Sequence, residues 1–106
     1  MSIPALTLYR DGLVNLNGDA TRVLKNGQRE LMLLPPATTR PRWMLLPSIP
    51  GLGLEINLIG WAARDRHLRF RAPALAVAVF AALPPEATSI RLALDPLPHG
   101  WNLIAQ

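Results

Sequence analysis

Short alternating apolar runs, each cut off by proline or glycine, limit most tightly what this chain can fold into. Leu6 and Leu8 alternate with polar neighbours, and Val14 and Leu16 do the same after Arg10-Asp11-Gly12. Residues two apart share one face of a strand, so such runs predict a sheet with one buried face. Asp-Gly between two of them is a hairpin signal, giving strands at 5–9 and 13–17. The chain's 11 prolines keep further runs short and suppress pairing at strand edges.

The pattern reads twice. After the first hairpin, Asn17 or Asp19 can cap a short helix carrying Ala20, Val23 and Leu24 on one side, ended by Asn26-Gly27. Two more strands follow, in RELMLLPP (29–36) and RWMLLP (42–47). Beyond the Pro/Gly connection 47–53 come strands in LEINLIGWA (54–62) and HLRFRA (67–72). A helix then opens at Pro73, runs through PALAVAVFAAL and stops at Pro84-Pro85. SIRLALD and WNLIA close the chain, with Trp101 in the place Trp43 holds earlier. The reading is one domain over 1–106, mainly β with two short helices. It consists of two strand-strand-helix-strand-strand repeats, about 3–47 and 54–105. One such unit buries too little surface to stand alone, whereas two can curl into a small closed or partly closed β-barrel around a shared core. The second helix is apolar on all sides, which predicts deeper burial than the first.

Composition narrows the functional classes. With 50% apolar residues the chain is not a disordered polyelectrolyte, and no apolar run approaches the ~18 residues of a membrane span. The N-terminal MSIPALTLYR lacks the pattern of a secretory signal. Without cysteine there is neither a disulfide framework nor a thiolate metal site, and the expectation is a cytoplasmic protein without membrane contact. The net charge is +4, with Lys25 the single lysine, so nearly all cations are arginine forks suited to phosphate or carboxylate. His67 and His99 have no partner at a useful spacing, and the acidic residues are scattered. A non-enzymatic module without metal or cofactor is therefore expected.

The order hairpin, short helix, hairpin resembles the AbrB-like swapped-hairpin family. Residues 5–46 look like one unit, in ALTLYRDGLVNLNGDATRVL and RELMLLPP…RWMLLP, and residues 54–105 look like a second. The whole is similar to a tandem fused pseudo-dimer, or to a related cradle-loop barrel such as the double-psi barrel. The resemblance implies a barrel and, in many members, DNA binding. The family's basic residue after the turn glycine is replaced here by Leu13.

RDRHLRFR (64–71) is the main candidate site. On a strand, His67, Arg69 and Arg71 share one face while Leu68 and Phe70 take the other, with Arg64 and Arg66 on the approach. Such a stripe would follow a phosphate backbone, or it is the wet side of a sheet. Arg40 and Arg42 form a second patch beside Trp43, which is read as a core or rim anchor. Trp61 is the candidate for a contact surface. The leading expectation is a nucleic-acid-binding module using Arg64, Arg66, Arg69, Arg71, Arg40 and Arg42. The alternative is a protein-interaction or homo-oligomeric assembly module based on Trp61 and the aliphatic stretch before it. On a third option, a barrel holding a small molecule, the residues are silent.

Overall fold

A computed structural model of the chain describes residues 3–25, 31–39, 41–47, 53–56 and 67–105. In chain order the elements are β1 (Ala5–Tyr9), β2 (Leu13–Leu16), α1 (Gly18–Lys25), β3 (Leu31–Leu34) and β4 (Met44–Pro47), then β5 (Leu54–Ile56), β6 (Arg69–Arg71), α2 (Pro73–Phe80), β7 (Ser89–Leu97) and β8 (Gly100–Ala105). All strands belong to one antiparallel sheet, ordered β5-β3-β4-β8-β7-β1-β2-β6 and curled into a half-barrel. The mainly-β architecture with two short helices is as expected, and the same order of five elements precedes and follows the 47–53 connection.

The first hairpin forms for the reason its sequence suggests. The Gly12 N–H donates to the Tyr9 carbonyl at 2.9 Å, and Asp11 Oδ1 accepts from the Leu13 N–H at 3.1 Å. Gly12 sits at φ 97°, where a side chain is strained, and a Cβ there would lie 3.1 Å from Pro73 Cα at the start of α2. Glycine is thus required both by the turn and by the close approach of the second helix.

At α1 the cap is Asn17. Its Oδ1 accepts from the Ala20 N–H at 2.8 Å and the Ala5 N–H at 3.2 Å, while Nδ2 donates to the Ile3 carbonyl at 2.8 Å. Asp19 instead pairs with Arg22 one turn along. Ala20 and Leu24 are buried as expected, but Val23 is 38% exposed, and Thr21 takes the third inward position. Positions 21 and 23 flank the Ala20–Leu24 line equally on a 3.6-residue helix, so tertiary contact decides between them: the Thr21 hydroxyl accepts from the Leu68 N–H.

The second helix is not buried more deeply than the first, contrary to expectation. α2 ends at Phe80, short of Leu83, and buries Leu75, Ala76 and Phe80. Its outer side, with Ala74 and Ala78, faces solvent, and Val77 is 74% exposed. Absence of polar residues does not bring a second layer to cover a helix; here the sheet contacts one side only.

The core is one cluster drawn from every strand and both helices. Leu6, Leu8, Val14 and Leu16 project inward from the first hairpin, and Leu68 and Phe70 join them. Burying each of the larger side chains contributes roughly 1.5–3 kcal/mol. Trp43 and Trp101 are partly buried against the cluster, in the rim role expected of Trp43. They sit at the β4–β8 seam, where Leu45 pairs with Trp101 and the Leu103 N–H donates to the Trp43 carbonyl at 2.9 Å.

Candidate polyanion-binding face

Alternation along the hairpin and β6 divides polar from apolar side chains. β6 pairs with β2 so that Arg69 lies opposite Asn15, Phe70 opposite Val14 and Arg71 opposite Leu13. Val14 and Phe70 are fully buried, which places Arg69 and Arg71 on the solvent side. Across β1, Thr7 pairs with Asn15 on one side and with Arg91 of β7 on the other. A single cross-strand row therefore reads Arg91, Thr7, Asn15, Arg69, with both arginines exposed and the central pair half-buried. Three inter-strand steps separate its ends, about 14 Å at ordinary strand spacing, and Arg71 stands about 7 Å from Arg69 along its own strand.

His67 continues the same face. Its Nδ1 lies 3.3 Å from the Leu16 carbonyl. An open depression of about 570 Å³ is bordered by Thr7, Asn15, Asn17, His67 and Arg69. Asn15 also borders a neighbouring depression with Tyr9 and Leu13. Its Oδ1 is buried without a hydrogen-bond partner, an unusual state for an amide oxygen.

Arg69, Arg71 and Arg91 have no carboxylate within ion-pair distance among the described residues, where the ion pair formed is Arg22 with Asp19. Arg10, just past the end of β1, is held elsewhere. Its Nε donates to the Ala87 carbonyl at 2.8 Å and Nη2 to the Pro84 carbonyl at 3.1 Å, with the guanidinium 4.7 Å from the Phe80 ring centroid. It fixes the loop after α2 to the first hairpin and leaves the polar face to the other three.

Of the residues singled out in the sequence, Arg69 and Arg71 thus share this face. Arg64, Arg66, Arg40 and Trp61 lie outside the described residues. Arg42 is exposed before β4, at a different site, beside Trp43 and α2. Arg91 is the contributor that sequence reading overlooked. The signal was present in Ile90-Arg91-Leu92, where alternation alone turns the arginine outward; the pairing of β7 with β1 was not.

No family model, curated protein or solved structure matches the chain. Among the described residues, no helix is long and apolar enough to cross a membrane, and no group of three metal-binding side chains occurs.

Proposed function

We propose that this chain is a nucleic-acid-binding module whose contact surface is the outer face of β7-β1-β2-β6. One observation carries the reading: three exposed guanidiniums, Arg69, Arg71 and Arg91, stand on one sheet face without carboxylate partners among the described residues. Each can give a fork of donors to a phosphate, releasing counterions as it does so. These contacts position a backbone and carry no base sequence by themselves.

The scaffold in this proposal is a tandem duplication of the AbrB-like kind, closed into a barrel. Exchanging the two halves maps the seam pair Trp43–Leu103 onto Trp101–Leu45. Outward from that seam the sheet continues β3, β5 on one side and β7, β1 on the other, which are equivalent elements. By the same exchange β5 would meet β6 as β1 meets β2, removing both sheet edges.

The test is fluorescence anisotropy with labelled single-stranded and duplex oligonucleotides of mixed sequence. Three phosphate contacts give log K against log salt a slope of about −2 for a single strand and about −2.7 for a duplex. Removing two contacts in Arg69→Ala/Arg71→Ala should cut either slope to roughly a third. No binding at low ionic strength, or binding that ignores the double substitution, refutes the proposal.

A further inference from the structure

A second site lies on the other side of β7. Between α2 and the inner sheet face runs a groove of about 490 Å³, walled by Val79, Leu83, Ile90, Leu92 and Leu103. Val79, Leu83 and Ile90 belong to the partly buried rim of the core, so the groove is core surface left accessible. Ala78 and Ala82 also border it and are too small to fill it. At its mouth stand Arg42 and Trp43. Arg42 is exposed and has no carboxylate partner among the described residues.

We infer that this groove binds a small amphiphile with a single anionic head, of the medium-chain aliphatic carboxylate class. The walls supply apolar burial and Arg42 supplies a fork that matches a carboxylate. Size favours a small molecule over a docked helix: α2 borders the groove with Ala78 and Val79, before the loop residues Ala82 and Leu83, which is less than one helical turn of about 5.4 Å. That is less than the ~10 Å diameter of a second helix. The volume lies within the usual range for small-molecule sites. This inference is independent of nucleic-acid binding, because the groove's lining and the polar row with Arg71 share no residue.

The experiment is a titration of the full chain with sodium decanoate below its micellar concentration, followed by methyl carbon–proton correlation NMR. Saturable shifts are expected for Val79, Leu83, Ile90, Leu92 and Leu103. Affinity should fall about three- to fourfold for each methylene removed towards octanoate, from the transfer value per CH2. Arg42→Gln should weaken decanoate roughly tenfold or more, whereas Arg69→Ala/Arg71→Ala should leave it unchanged. Ala78→Trp, at an exposed helix position, should block the groove without disturbing the fold. Decanol binding as tightly as decanoate would overturn the inference. So would shifts centred on other residues, an Arg42→Gln variant of parental affinity, or groove signals that change with protein concentration because a second copy covers them.

Discussion

Thr21→Val tests how the polar face is held in place. Thr21 is 2% exposed, and its Oγ1 accepts from the Leu68 N–H at 3.1 Å. Leu68 leads into β6, and its carbonyl already accepts from the Leu16 N–H at 2.9 Å. The hydroxyl of α1 is therefore what satisfies the Leu68 amide, across 47 residues of sequence. Valine has nearly the same shape but no acceptor, so the substitution leaves a buried donor unpaired at a cost of about 1–3 kcal/mol. With a urea slope of roughly 1–1.5 kcal/mol per molar for a small domain, the midpoint should drop by about 1–2 M. Melting should fall by roughly 10 °C. Thr21→Ser retains the acceptor and loses one methyl, which costs about 0.5–1.5 kcal/mol. Amide exchange separates the two effects: Leu68 and Arg69 should lose protection in the valine variant and keep it in the serine variant. A valine variant as stable as the parent, or one whose Leu68 amide stays protected, would refute this account of how α1 anchors β6.

Two further outcomes are expected. Gly100→Ala should lower stability by about 1–3 kcal/mol in urea unfolding. A Cβ there would lie 2.5 Å from the Leu45 carbonyl oxygen, which the seam cannot move aside as easily as the nearby Leu46 side chain; parental stability would show that the seam yields. For the closed barrel, the exchange of halves carries Leu6 to Ile56. It carries the Leu16 N–H bond to the Leu68 carbonyl onto that of the Ala72 N–H to the Gly12 carbonyl. The Leu6–Leu16 pair of the first hairpin thus puts Ile56 opposite Ala72. A nuclear Overhauser contact between their backbones is expected, and its absence in an otherwise assigned spectrum rules that closure out.

Much of the fold was legible because local rules and tertiary packing agree along this chain. Leu6, Leu8, Val14 and Leu16 alternate, and all four are buried. Asp11-Gly12 turns the hairpin as turn chemistry requires, and Leu68 and Phe70 point opposite to Arg69 and Arg71 because the pleat allows nothing else. Misreadings arose where burial depends on partners far away in sequence. Val23 and Leu24 are equally apolar, but the sheet lies under one of them only. The all-round apolar α2 looks like a buried helix to any local rule, yet nothing among the described residues covers Val77. The site was half legible for the same reason. Arg69 and Arg71 are two residues apart on one strand, whereas Arg91 reaches them only through β1 and β2, and Arg42 is carried away from them by its place before β4.

Both sites are set by one ladder. In β7, Ile90 and Leu92 face the apolar groove while Arg91 between them faces the polar row. A slip of one residue against β1 would exchange these faces, putting a guanidinium into the groove and a leucine among the arginines. Five rungs, from Ala5–Ala93 to Tyr9–Ser89, hold β7 against that slip. A buried guanidinium without a partner would add several kcal/mol to its cost. The sheet can therefore present a charged surface and an accessible apolar groove across the thickness of a single strand. Substitutions of exposed side chains such as Arg69, Arg71 and Arg42 can address each site separately because they leave that ladder intact.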